Sequence, residues 1–227
     1  MVDVIIPAFN EQNAIGHVLE DIPAPLVRRV IVCDNNSSDR TSEIAKKKGA
    51  VVVKEPRPGY GYACLKCMDY IAKSHLPPPE IVVFLDADYS DYPEQMPELI
   101  APIVKDGCDL VIGSRALGKR EKGSMTPQQL FGNWLATKLI KRIYGYHFTD
   151  LGPFRAIKYD KLLKMEMTDK TYGWTVEMQI KAARMKMKCT EVPAHYKKRI
   201  GQSKVSGTVK GSLGAGWKIL YTIYKYR

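Results

Sequence analysis

Cysteine is scarce and dispersed in this chain. There are five in 227 residues, Cys33, Cys64, Cys67, Cys108 and Cys189. An odd, scattered set is no disulfide framework, so the expected compartment is reducing and cytoplasmic. Cys64 and Cys67 form a lone C-x-x-C with no second ligand pair at zinc spacing, which leaves them as structural thiols. No window reaches the roughly 18 to 20 apolar residues of a membrane span. Met1-Val2-Asp3 enters an apolar run at once, without the basic and apolar regions of a secretory leader, so none is expected. No G-x-G-x-x-G follows that first run, which argues against a dinucleotide fold. Internal repeats, low-complexity tracts and long linkers are also lacking.

Hydrophobic residues make up 45% of the chain, enough for one globular domain with a real core and too many for a disordered one. The formal net charge is +11 and it is unevenly placed. Between residues 115 and 146, seven Lys and Arg face Glu121 alone, and between 181 and 227, twelve face Glu191 alone. Such a field attracts phosphates on a nucleotide, a lipid or a nucleic acid, unless it is only a solvated basic surface. Strand and helix patterns alternate over the first half. The spacing predicts strands at Val2–Pro7, Arg29–Cys33, Val51–Lys54, Ile81–Leu85 and Leu110–Gly113. Helices are predicted over Glu11–Glu20, from a Ser37 or Ser38 cap to about Lys48, from the Glu55–Gly61 loop to about Ser74, and after Pro93. This is the pattern of an α/β fold with a mostly parallel central sheet flanked by helices, whose ligands bind beyond the carboxyl ends of the strands. After about residue 116 the pattern turns helix-rich, and that half is read as a lobe on the same sheet.

The segment FLDADYSDYPE, Phe84 to Glu94, carries the most chemistry. Asp86 and Asp88 follow a continuous apolar strand, and residues i and i+2 of extended backbone point to one side. Paired carboxylates with waters and phosphate oxygens suit Mg²⁺ or Mn²⁺, which would bridge a diphosphate and stabilise its departure. The alternative is a solvated acidic loop. Strand one ends in VIIPAFNE and strand two in IVCDNNSSDRT, where Asp34 can accept from a ribose hydroxyl or a base N–H, or simply close a turn.

These pieces, with PRPGYGYA, VIGSR, TDLGPFR, YGWTVEMQIKA and EVPAHYKKRIGQSK, occur in one order from residue 2 to about residue 210. The ordered set resembles family 2 glycosyltransferases, and within them the polyprenyl-phosphate (dolichol-phosphate) hexosyltransferases. The resemblance implies a GT-A (Rossmann-like) nucleotide-sugar-binding fold in a single domain, residues 1–115 holding the nucleotide sugar and 116–227 the acceptor. It implies that Pro7, Ala8, Glu11 and Asp34 hold the nucleoside, and that Asp86 and Asp88 bind the donor diphosphate through the metal. Arg115 would lie near the phosphates, and Asp150 and Arg155 by the reacting centre. Trp174 and Glu177 would wall the sugar or acceptor side. Arg199, Ser203 and Lys204 would clamp phosphate, a task suited to Arg as a fork and Lys as a point charge.

Two departures stand out. Family members that act on lipid phosphates usually place Gln two residues after the second metal-binding Asp, where this chain has Ser90, a hydroxyl able to reach the metal or its water. Many also carry C-terminal transmembrane helices, and no span is expected here. Two stretches could instead lie on an anionic membrane face: Gln128–Tyr144, with Phe131 and Trp134 among basic residues, and Trp217–Tyr226, with Trp217, Leu220, Tyr221 and Tyr224 at helical spacing. Ordinary packing against the sheet is the other reading of both. The expected activity is inverting transfer of a hexose from a UDP- or GDP-sugar to a polyprenyl phosphate, by a cytoplasmic enzyme peripheral to the membrane. The close alternative is transfer to a hydroxyl of a saccharide or glycolipid, with Asp150 or another carboxylate as base. A non-catalytic nucleotide-sugar or nucleic-acid binder is a remote one. No nucleic-acid motif accompanies the basic charge, so nucleic acid is not an expected partner.

Overall fold

The computed structural model describes residues 1–201 and 209–227. The chain runs β1 (Val2–Ala8), α1 (Ile15–Asp21), β2 (Val27–Asp34), α2 (Thr41–Lys47), β3 (Val51–Lys54), α3 (Tyr60–Ala72), β4 (Ile81–Phe84), α4 (Met96–Asp106) and β5 (Leu110–Ser114). It continues through α5 (Pro127–Tyr144), β6 (Arg155–Lys158), α6 (Tyr159–Lys164), α7 (Trp174–Arg184), β7 (Cys189–Pro193) and α8 (Val209–Lys225). Among the described residues, seven strands form one sheet in the order β3-β2-β1-β4-β6-β5-β7. All pairings are parallel except those of β6, which runs against both β4 and β5.

Side chains alternate across the sheet with period two. Ile5, Ile31, Cys33, Val82 and Phe84 enter one core with α3, α5, α7 and α8. Val4, Ile6, Val32, Val83 and Leu85 enter the other with α1, α2 and α4. Both faces are covered, which is why β4 reads as an unbroken apolar run. Cys64 and Cys67 lie buried in α3, and all five cysteines are free. The strands β1, β2, β4 and β5 end on one edge of the sheet. The antiparallel β6 starts there, so the loops carrying the motifs converge.

Several expected boundaries move, each for a local reason. Helix α1 starts at Ile15 and not at Glu11, because Asn10 turns the chain at φ 55° and the N–H groups of Glu11 and Gln12 donate to Thr41 and Asp39. Neither Ser37 nor Ser38 caps α2. Their N–H groups donate to Asp34 and Asn10, and Asp39 accepts from the N–H of Thr41. Pro93 opens a short 3₁₀ turn, Pro93–Gln95, that runs into α4. The second half is helix-rich as expected, with α5 to α8, but it also supplies β6 and β7. Each is only four or five residues long, and β6 reads as RAIK, with Arg155 where a buried strand seldom carries charge. Helix α5 begins with a reciprocal cap between Thr126 and Gln129 and stops at Gly145, whose φ of 69° favours glycine.

At the edge away from the motifs, Asp3 of β1 is fully buried and lies beside its register partner Arg29. It accepts from Arg28 Nε at 2.9 Å, Arg28 Nη2 at 2.7 Å and Arg29 Nε at 2.8 Å. Removing one member of such a pair strands the others, so Asp3→Ala should cost about 3–5 kcal/mol of folding stability. Urea denaturation measures this directly, and a loss under 1 kcal/mol would show that the pair is not a structural tie.

Candidate functional site

Two clefts meet at the carboxyl edge of the sheet. One, about 380 Å³, is walled by Pro7 and Ala8 at the end of β1, by Glu11 beyond it, by Asn35, and by Pro58, Gly59 and Tyr60 where the chain enters α3. The other, about 360 Å³, lies between Arg115, Leu151, Trp174 and Tyr196 on the sheet side and helices α5 and α8. Tyr60, Asp86, Asp88, Tyr172 and Arg199 line both, so the acidic pair stands where the clefts join.

The turn after β4 aims these carboxylates. Tyr89 sits at φ 62°, and its hydroxyl donates to Asp21 at 2.5 Å. Ser90 donates to Asp88 through its N–H at 2.9 Å and its hydroxyl at 2.5 Å. Tyr60 donates to Asp86 at 3.1 Å. Burial and the neighbouring charge of Asp88 push the Asp86 carboxyl up to about 6, against the pull of Tyr60, Arg199 and Arg115. The segment after β7 is fastened over this turn, with Lys197 N–H donating to Ser90 O and Ile200 N–H to Asp88 O, both at 2.9 Å. That places Arg199 between Glu11, at 3.1 Å, and Asp88, at 3.2 Å.

Beneath the clefts is a buried polar layer. Arg115 grips Asp150 in a two-pronged pair, Nε to Oδ2 at 2.7 Å and Nη2 to Oδ1 at 2.8 Å, and its backbone N–H adds a third bond to Oδ2 at 2.8 Å. Burial works against the Arg115 charge, but Asp150 outweighs it, so the guanidinium stays ionised. The loop bearing Asp150 is itself held. Glu191 accepts from the N–H groups of Thr149 and Asp150, Gln179 donates to the carbonyl of Asp150, and Asn133 of α5 bonds Thr149 and Leu151.

Of the expected site residues, Pro7, Ala8, Glu11, Asp86, Asp88, Arg115, Trp174 and Arg199 line the clefts. Five others do not. Asp34 closes the turn after β2, accepting from Ser37 N–H at 2.8 Å and from the Ser42 hydroxyl, and Asn35 takes the place in the wall. Ser90 is buried and spends its hydroxyl on Asp88, so it orients that carboxylate. Asp150 serves Arg115. Arg155 is fully buried on β6, donating to the carbonyls of Leu151, Gly152 and Thr175, and burial draws it down to about 10. Glu177 is fully buried in α7, where it accepts from Thr168, Asp169 and Tyr226 and pairs with Lys181 at 2.8 Å. Motif spacing locates a residue along the chain but not the side to which its side chain turns. Ser203 and Lys204 lie outside the described residues.

Tyr60, Asn35, Tyr172 and Tyr196 are cleft residues that the motifs contained without singling out. For Tyr60 the signal lay in the glycines beside it. A side chain on Gly61 would come within 2.0 Å of the carbonyl of Asp169, and one on Gly59 within 2.2 Å of that of Lys170, so this loop must lie against 169–170. Asp86 and Asp88 fit a divalent cation, as two acids facing a shared opening with Arg199 as their present counter-charge. Among the described residues no group of three or more His, Cys, Asp and Glu could hold a metal, so the remaining ligands would be donor oxygens and water.

The model of glycosyl transferase family 2 matches residues 3–165, and the chain belongs to that family. It is a glycosyltransferase with a GT-A fold. A glycosyltransferase of Mycobacterium tuberculosis is 34% identical over 224 residues, covering 96% of this chain and 97% of the relative. A dolichyl-phosphate hexose transferase of Haloferax volcanii is 33% identical, covering 92% of this chain and 88% of its own. Glucosyl-3-phosphoglycerate synthase of M. tuberculosis, solved with Mn²⁺, UDP and glucosyl-3-phosphoglycerate, superposes with a TM-score of 0.76 over all of this chain and 79% of its own. At 22% identity that likeness shows the fold alone.

Asp91, one residue past Ser90, is buried with no partner for either carboxylate oxygen. Burial, then the charges of Asp86 and Asp88, raise it well above the carboxylate range. The folded protein therefore holds a proton that the unfolded chain releases, and stability falls as pH rises beyond the ordinary Asp value near ~4. The neutral Asp91→Asn does not bear that cost. Its melting temperature relative to wild type should climb between pH 4 and pH 8, and a difference that stays constant would place an ionised carboxylate there.

Proposed function

We propose that this glycosyltransferase moves a hexose from a nucleoside diphosphate donor to a polyprenyl phosphate, with inversion at the anomeric carbon. The observation that carries this reading is that the described residues of the second cleft offer no free base. Among its described lining residues the only carboxylates are Asp86 and Asp88, and Asp150, the base that a hydroxyl acceptor would require, is bound to Arg115. A phosphate acceptor is already anionic and needs no base; it needs cations and positioning. Arg115 and Arg199 supply the cations, and Leu151, Pro153, Trp174 and Ile219 give that cleft apolar walls. The similar dolichyl-phosphate hexose transferase supports the same acceptor class.

In this reading the nucleoside lies along Pro7, Ala8 and Asn35, and its diphosphate reaches the acidic pair. Asp86 and Asp88 would hold Mg²⁺ or Mn²⁺, which when bound would offset the charge that develops on the leaving diphosphate. Ser90 and Tyr60 keep the two carboxylates aimed at the junction. An oxygen of the acceptor phosphate forms the new bond to the anomeric carbon as the bond to the diphosphate breaks on the opposite face. Arg115, kept charged by Asp150, and Arg199 lower the repulsion between the two anions. The acceptor is lipid-linked, so the enzyme works peripherally at a membrane surface.

Asp88→Ala should abolish transfer while the fold survives. Arg199→Ala should lower transfer to a short-chain polyprenyl phosphate by about 2–4 kcal/mol, roughly two to three orders of magnitude, and lower slow donor hydrolysis by less. Both rates are read with the same UDP- or GDP-hexose. An equal fall in both would assign Arg199 to the donor alone, and transfer to a saccharide hydroxyl with no lipid product would replace the acceptor assignment.

A further inference from the structure

The cleft assigned to the acceptor opens between two helices whose outer faces are unusually apolar. Gln128 and Gly132 of α5 share its wall with Gly216 and Ile219 of α8, and the Tyr144 hydroxyl at the far end of α5 donates to Ile223 O of α8 at 2.7 Å. The helices therefore run side by side in the same sense. Their inner faces are fastened to the body of the protein. Ala136 and Ile140 of α5 and Ile223 of α8 are buried in the core, and the Tyr226 hydroxyl reaches Glu177 at 2.6 Å.

The outer faces do the opposite. On α5, Leu130, Phe131 and Trp134 are exposed, with Phe131 at 62% and Trp134 at 53%, and the two rings lie 5.8 Å apart. On α8, Trp217, Leu220, Tyr221 and Tyr224 recur every three or four residues, with Trp217 at 72% and Tyr224 at 73%. Residues at that spacing share one side of a helix. Leaving so much aromatic surface in water is costly, and contiguous apolar patches mark interaction sites. The charge on these helices has one sign. Neither carries an Asp or a Glu, whereas Lys138, Lys141, Arg142 and Lys225 are exposed, with Arg227 just beyond.

We infer that the outer face of α5 and α8 is a docking surface for an anionic lipid bilayer. The tryptophans and Phe131 enter the boundary between headgroups and acyl chains, while the lysines and arginines meet lipid phosphates. Charge complementarity selects this occupant. A second copy of the chain would bring the same basic face and be repelled, and an anionic bilayer matches both the aromatic and the cationic parts. The face borders the acceptor cleft, so docking turns the cleft mouth toward the surface from which a lipid-linked phosphate arrives. The surface rests on the acceptor reading only for that last orientation.

The test uses the intact chain, without donor or acceptor, and vesicles of phosphatidylglycerol or phosphatidylcholine, some with brominated acyl chains. Of the three tryptophans, Trp134 and Trp217 lie on the face and Trp174 is buried in the core. Wild type should sediment with phosphatidylglycerol vesicles at low salt, leave them at high salt, and bind phosphatidylcholine poorly. Bromine should quench the two surface tryptophans. The double variant Trp134→Ser, Trp217→Ser should partition at least about tenfold more weakly, since two aromatic rings no longer enter the interface. Its turnover of a short-chain polyprenyl phosphate in detergent should match wild type. Equal binding to both lipids, bound protein without quenching, or a double variant that binds like wild type would each overturn the docking surface. Vesicle binding with no transfer to any lipid phosphate would leave the surface standing and remove the acceptor assignment.

Discussion

Asp86 and Asp88 are forced together at the end of an apolar strand, and their repulsion organises what surrounds them. In a poorly solvated site two like charges cannot stand side by side without compensation. Three responses are visible. Asp86 binds its proton more tightly than an ordinary Asp, with its carboxyl pushed up to about 6. The Asp91 carboxyl is raised well above its ordinary value by burial and by the charges of Asp86 and Asp88. Arg199 is brought from the far end of the chain to sit between Asp88 and Glu11. Its placement depends on backbone bonds from Lys197 and Ile200 to the acidic turn. The site is thus poised to take a cation.

The layer below has a different task. Asp150, Arg155, Glu177, Gln179 and Glu191 are polar or charged yet withdrawn from the clefts. Their partners are mainly backbone groups of the loops at 149–152 and 168–175. Buried charges that satisfy backbone donors and acceptors fix a loop in one position, because any other arrangement would leave a charge unpaired in the interior. Arg115 is held in place by this layer, so its charge meets the cleft at a set position without the freedom of a surface side chain.

Much of the architecture was legible in the sequence. Alternating runs revealed β1 to β5 and their parallel order, since a strand covered on both faces has to be apolar throughout. Strands β6 and β7 escaped because they are short and carry the charged Arg155 and Glu191, which break the apolar run expected of a buried strand. Among site residues, those that follow directly from a strand end, such as Asp86, Asp88 and Arg115, line a cleft. Asp34, Arg155 and Glu177 did not reach a cleft, since side-chain direction depends on tertiary partners that local pattern does not encode. The exposure of the α8 aromatics was equally hidden. Their spacing fits a helix packed inward as well as one turned outward, and only the fold shows that Thr222 and Ile223 take the inner side.

The reversed direction of β6 has an architectural consequence. Because β5 ends and β6 begins at the same edge, the connection from Arg115 to Phe154 leaves the sheet and returns to it on one side. It crosses no strand and sets no register. Lengthening or shortening this arm would leave the order of β4, β6 and β5 intact, and with it the turn that bears the acidic pair.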